Sequence, residues 1–202
     1  MTVPGSESSS TKPGERHPRS PKGIARRQQI LDRAIEVFAE KGADGTSLRA
    51  IAEAIGVSHG ALLHYFHSRE TLLIEVLQEN EQRHVGVSPE DEVVGRMVSA
   101  AERNVKIPGL VALYTSMLAG SIDAANAPSH EYFTARFERV REDLVAHIRA
   151  GQEAGTLRRD VDPSAMAALV IAASDGLQTQ WLLEPEVDIA ESLRLLNLIL
   201  KP

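Results

Sequence analysis

The sequence predicts an all-α chain of about nine helices, a three-helix N-terminal domain with a helix-turn-helix followed by a longer helical domain. Three observations carry this reading. From Gly23 onward apolar residues recur at helical spacing, with no strand alternation and no internal repeat. Phe, Tyr and Trp make up only 4% of the chain while Ala is abundant, a balance that favours helices over sheet. Gly and Pro fall between the periodic segments, where helices stop.

The elements follow in order. Residues 1–22 are rich in Ser, Pro, Gly, Lys and Arg with little to bury, and read as a disordered basic arm carrying Lys12, Arg16, Arg19 and Lys22. The first helix is expected from about Ile24 to Lys41, with Ile30, Leu31, Ala34, Ile35 and Phe38 inward and Gly42 as the stop. Ser47 caps a second helix carrying Leu48, Ile51, Ala52 and Ile55, and Gly56 ends it. Ser58 caps a short third helix to about Phe66. Ser68 caps a fourth to about Glu79, with Leu72, Leu73, Val76 and Leu77 on its apolar side.

Ser88-Pro89-Glu90-Asp91 reads as a helix start reaching about Lys106, before Pro108. Residues 109–124 form the next helix, and a long amphipathic helix spans about Ser129 to Glu153, closing near Gly155. Asp162-Pro163 opens a helix to about Leu183, and Asp188 with Glu191 reads as a capping box for a last helix to Leu200. The expected domains are 23–70 and 71–202, after the arm.

Composition narrows the function classes. The chain lacks cysteine, so neither a disulfide framework nor a cysteine zinc site is available. No phosphate-cradling glycine loop or nucleophile elbow is present, and the acids at Glu90, Asp91 and Glu92 mark a helix start rather than a catalytic pair. An enzyme is therefore not expected, nor is a cofactor. His59, His64 and His67 lack the spacing and carboxylate of a helical zinc site, so no metal is expected. The sequence shows neither a signal-peptide core nor a membrane span, and a cytoplasmic location is expected. Net charge is −6, yet residues 1–70 hold ten Lys and Arg against eight Asp and Glu, and residues 71–202 hold twelve against twenty. Such asymmetry fits a nucleic-acid face at one end.

The informative stretch is Ser47 to Arg69. Two short helices are joined by Gly56-Val57-Ser58, and Ala52, Ile55, Val57 and Leu62 supply the small apolar packing a helix-turn-helix needs. The exposed side of the third helix would then carry His59, Gly60, Leu63 and His64 into a major groove.

Gln29-Ile30-Leu31, Ala34, Phe38, Gly42, Thr46-Ser47, Ile51-Ala52, Gly56-Val57-Ser58, Gly60, Leu62, Tyr65-Phe66, Ser68-Arg69-Glu70 and Leu72 together resemble the N-terminal domain of the TetR family. The resemblance covers residues 24–77. It implies phosphate contacts for Ser47 and Tyr65, a phosphate or base contact for Arg49, and a backbone anchor at Arg69. It places Ser58, His59 and Gly60 at the start of the recognition helix. One position departs: Leu63 stands where many members have Tyr, so an apolar contact replaces a hydroxyl and His64 becomes a further partner for DNA.

The resemblance also implies a C-terminal half that binds a small-molecule effector and pairs two subunits. Ala165, Ala168, Leu169, Ala172 and Gly176 of one helix, with Leu193, Leu196 and Leu200 of the last, are the expected dimer residues. Met97, Tyr114, Met117, Phe133, Phe137 and Trp181, with Arg136 and Asp175 as polar groups, are the expected effector contacts. The implied protein is a homodimeric, ligand-responsive repressor on a palindromic DNA operator. A ligand-dependent activator is the alternative within that class, and a helical protein-binding adaptor the alternative outside it.

Overall fold

The computed structural model of the protein describes residues 20–83, 93–123 and 125–202. Among them are nine helices: α1 (Pro21–Gly45), α2 (Leu48–Ala54), α3 (His59–Tyr65), α4 (Arg69–Gln82), α5 (Gly95–Asn104), α6 (Leu110–Gly120), α7 (Ala127–Ala154), α8 (Pro163–Leu183) and α9 (Ile189–Leu200). The chain is all-α, as its periodicity predicts, and no described residue is in a strand.

Two boundaries moved for identifiable reasons. α1 begins at Pro21 rather than Ile24 because Ser20 caps it, its Oγ accepting from the Gly23 N–H at 3.2 Å. Proline suits that first turn, where its missing N–H has no partner to lose. Lys22 therefore stands on a helix, not on a loose arm. Gly42 interrupts α1 as expected, at φ 67° and ψ −172°, but a further turn follows before α2. The expected arm at residues 1–19 and the Ser88-Pro89 helix start lie outside the described residues. The described part of that later helix, α5, ends at Asn104.

The apolar residues gather into two clusters. One joins α1–α4 to α6 and the start of α7, through Ile30, Phe38, Ile51, Leu62, Phe66, Leu73, Leu113 and Phe133. The other joins α5, the end of α7, α8 and α9, through Val98, Ile148, Val170, Leu193 and Leu200. Phe137 of α7 packs against both. The expected division at residue 70 falls just inside the start of α4, whose Leu72, Leu73, Val76 and Leu77 are buried in the same cluster as α1–α3. α4 thus links the two halves mechanically: its N-terminus closes the helix-turn-helix and its C-terminus meets α7.

Candidate nucleic-acid interface and effector site

The interface begins with three serine caps. Ser47 Oγ accepts from the Ala50 N–H at 3.1 Å, Ser58 Oγ from Ala61 at 3.1 Å, and Ser68 Oγ from Thr71 at 3.0 Å. A capping hydroxyl still has its own proton to donate, so capping leaves Ser47 and Ser58 able to reach a phosphate. The turn between α2 and α3 closes with Gly56 at φ 68° and the Val57 N–H donating to the Ala52 carbonyl at 3.0 Å. That left-handed residue favours glycine. Ile51, Ala52 and Leu62 are buried beneath the turn. Ser47, Arg49, Ser58, His59, Gly60, Leu63 and His64 are all exposed, and Tyr65 is half-buried. These expected contact residues of α2 and α3 and of the turns before them are therefore accessible, Tyr65 in part.

Arg69 Nε donates to the Thr46 carbonyl and its Nη2 to the Ala43 carbonyl at 2.7 Å. The guanidinium thus ties α4 to the α1–α2 turn that precedes Ser47 with two of its five N–H groups. Arg27, on the neighbouring face of α1, pairs with Glu75 and stacks over the Phe66 ring, 5.4 Å from its centroid. These contacts fix α1, α3 and α4 as one piece.

The expected effector residues divide between the clusters. Tyr114, Met117 and Phe133 belong to the first, Met97 and Trp181 pack on the second, and Phe137 spans them. Arg136 and Asp175 come together on one tyrosine. The Tyr114 hydroxyl donates to Asp175 Oδ1 at 3.1 Å and accepts from Arg136 Nη1 at 2.9 Å. Arg136 also lies over the Tyr114 ring, 4.9 Å from its centroid, and its Nε donates to Glu81. Arg139 Nη2 donates to the other Glu81 oxygen at 2.9 Å. The result is a chain of polar groups running from α4 (Glu81) through α7 (Arg136) and α6 (Tyr114) to α8 (Asp175).

Sequence reasoning missed Glu81 and Arg139. The available signal was register: Glu81 continues the Leu73–Leu77 line of α4 by one more turn. A second contact links the same helices nearer the DNA side, where buried Ser129 Oγ of α7 donates to Glu70. The Tyr132 hydroxyl is buried and has no hydrogen-bond partner among the described residues. A groove of about 600 Å³ lies elsewhere, between α1, α4 and the α5–α6 turn, floored by Leu31, Ile35, Ala39, Val76, Ile107 and Pro108. None of the eight expected effector residues lines it.

Burial raises the Asp175 carboxyl above the usual carboxylate range, against the lowering influence of Arg136 and of the Tyr114 hydrogen bond. Its charged form is therefore disfavoured in the fold. The native state binds the proton more tightly, so stability associated with this group falls as pH rises from about 3.9, the ordinary Asp value, through the raised value. Asp175→Asn keeps an acceptor for Tyr114 and removes the charge. The variant is expected to melt at the same temperature as wild type or slightly above it near neutral pH, with the gap closing on acidification. Thermal melts across the acidic range check this, and a gap that widens at low pH would contradict it.

The expected dimer residues differ in exposure between the two helices. Ala165, Ala168, Leu169, Ala172 and Gly176 form one exposed face of α8. On α9 the expected residues require correction: Leu193 and Leu200 are 0% exposed and Leu196 is half-buried on the same inner cluster. The exposed apolar side of α9 is instead Leu195, Leu198 and Ile199, each more than half exposed.

A three-helix unit with a glycine-turned helix pair and an exposed third helix, joined to a larger helical half, defines a helix-turn-helix transcription regulator. Residues 30–76 match the family described as bacterial regulatory proteins, tetR family, and residues 123–200 match the BetI-type transcriptional repressor C-terminal domain. The chain belongs to the TetR family. The transcriptional repressor Rv1474c of Mycobacterium tuberculosis is 38% identical over 73 residues, 36% of this chain and 39% of that protein. The alignment with the first of these relatives therefore spans well under half its length. The repressor AcnR of Corynebacterium diphtheriae is 28% identical over 178 residues, 86% of this chain and 89% of that one. A TetR transcriptional regulator from Chloroflexus aurantiacus superposes with a TM-score of 0.72 at 22% identity, covering 89% of this chain and 96% of the other. The protein is a DNA-binding transcriptional regulator. No helix among the described residues is long and apolar enough to cross a membrane.

Proposed function

We propose that the protein is a homodimeric repressor whose grip on a palindromic operator is released by a small molecule. The observation that carries the reading is the polar chain Glu81–Arg136–Tyr114–Asp175, which ties α4 of the DNA-binding half to α6, α7 and α8. The relatives' names as repressors support the direction of control. In this reading Ser47, Ser58 and Tyr65 hold phosphates, Arg49 reaches a phosphate or base, and His59, Leu63 and His64 read bases. Arg69 acts through the α1–α2 turn, which holds Ser47 in place.

Positioning and reading contacts differ in their response to substitution. Tyr65→Phe removes one hydroxyl per subunit from a phosphate and should weaken all duplexes alike, by about 1 kcal/mol or roughly fivefold for each half-site. His59→Ala and His64→Ala should reorder the preferred bases. Competition between operator and scrambled duplexes separates the two: equal losses on both for the histidine variants would remove them from base readout.

An effector releases DNA only if it binds the released conformation more tightly. Breaking or re-forming the Glu81–Arg136 pair gives α4 two positions, and a coupling of about 1–3 kcal/mol is a roughly 5–150-fold change in DNA affinity. Linkage requires operator DNA to weaken effector binding by the same factor. Small molecules that raise the melting temperature can be titrated with and without operator. Equal affinity in both titrations, with DNA binding unchanged, would contradict the proposed switch.

A further inference from the structure

The first turns of α1 and the end of the recognition helix enclose a recess of about 540 Å³, lined by Ser20, Lys22, Arg26, Gln29 and Tyr65 among others. No carboxylate lines it, although the chain as a whole carries a net charge of −6. Its polar groups are two cations, an amide and two hydroxyls, a donor set suited to phosphate oxygens. The recess is built rather than loose. Arg26 Nη2 donates to the Ile55 carbonyl at 3.3 Å, pinning α1 against the end of α2 beside the Gly56 turn, and its Nη1 donates to Gln29 Oε1 at 3.0 Å. Lys22 is exposed and makes no ion pair among the described residues. Tyr65 belongs to both features: it closes α3 and forms a wall of the recess.

We infer that this recess seats a backbone phosphate of the duplex next to the base pairs read by α3. Lys22 supplies the charge, and Tyr65 and Gln29 donate to the phosphate oxygens. The inference rests on the DNA-binding reading and extends it, because it places a phosphate contact on α1, outside the helix-turn-helix. The grip is sequence-independent, so it fixes the register of α3 without adding base preference.

The test is fluorescence anisotropy of the full chain on a labelled random duplex of about 30 base pairs, between about 50 and 200 mM salt. Lys22→Gln should make the log–log salt slope shallower by about 1.8, the value of two lost phosphate contacts, one in each subunit of the dimer, so that affinity falls about twelvefold less across that range. Gln29→Glu brings a carboxylate into the recess and should weaken binding throughout. Lys41→Gln, at the far end of α1, removes the same charge away from the recess and should leave the slope unchanged. An unchanged slope for Lys22→Gln, or an equal drop for Lys41→Gln, overturns the seat. Inorganic phosphate, titrated at constant ionic strength, separates sources: if it loses affinity for Lys22→Gln while the duplex slope stays the same, the recess holds a free anion and not the DNA backbone. A wild-type chain that binds no duplex removes the DNA-binding reading itself, a different outcome from failure of the recess alone.

Discussion

Gly109→Ala is expected to destabilise the protein by about 3 kcal/mol, through left-handed strain and overpacking together. Gly109 precedes α6 at φ 80°, where a side chain is strained. A methyl group there would lie 2.7 Å from the Ala39 Cβ and 2.8 Å from the Ala39 Cα. The second of these is backbone, so relief requires α1 to move away from α6. For a chain of this size the loss corresponds to a melting temperature lower by about 6–12 °C. Gly56→Ala is the matched control: its φ is 68°, yet nothing lies within 4 Å of the added carbon. It should lose only the strain, about 1–2 kcal/mol. Thermal melts of the two variants side by side measure the contact. Equal melting temperatures would mean that α1 and α6 do not approach as closely as described.

Ala172→Arg is expected to convert a dimer into monomers and to lower operator affinity about 100-fold or more, because like charges brought together at an interface cost several kcal/mol. Ala165, Ala168, Leu169, Ala172 and Gly176 follow one another at helical spacing on the open face of α8, and Leu195, Leu198 and Ile199 are exposed on α9. Exposed apolar residues gathered on one face of a helix point to an association site. If it pairs with its own copy about a two-fold axis, each substitution appears twice across the seam. Position 172 is exposed, so the folded monomer should survive. Leu193→Ala provides the contrast. Its side chain is buried inside the subunit, so it should cost about 2–5 kcal/mol of stability rather than act through the seam. Sedimentation at micromolar concentration reads the first effect. A variant that stays dimeric with unchanged DNA affinity would contradict the proposed seam.

The difference between α8 and α9 shows what a sequence carries. On α8 small residues recur on one side and large ones on another, so its two faces are distinguishable. On α9 Leu193, Leu195, Leu196, Leu198, Ile199 and Leu200 surround most of the helix, and periodicity cannot say which side turns inward. Caps were legible because they are local: Ser47, Ser58, Ser68, Asp162 and Asp188 all accept from the N–H three residues on. Arg69 was only partly legible, since its acceptors lie 23 and 26 residues away and are backbone carbonyls, which leave no trace in residue identity. Asp175 stood out as a charge in a strongly apolar helix, and Arg136 as a candidate polar group. Their meeting at Tyr114, and the participation of Glu81, depend on four helices packing together. Glu81 lies past the expected end of α4 at about Glu79, and an acid near a helix end is ordinarily solvated.

Sequence-specific DNA binding by a symmetric pair of subunits is tested by selection of genomic fragments with the purified full chain, followed by sequencing of the bound pool. A symmetric pair should enrich an inverted repeat whose half-sites lie one helical turn, about 10 base pairs, or a multiple of it apart. A bound pool without any enriched sequence, or one enriched only in a single asymmetric site, would contradict it.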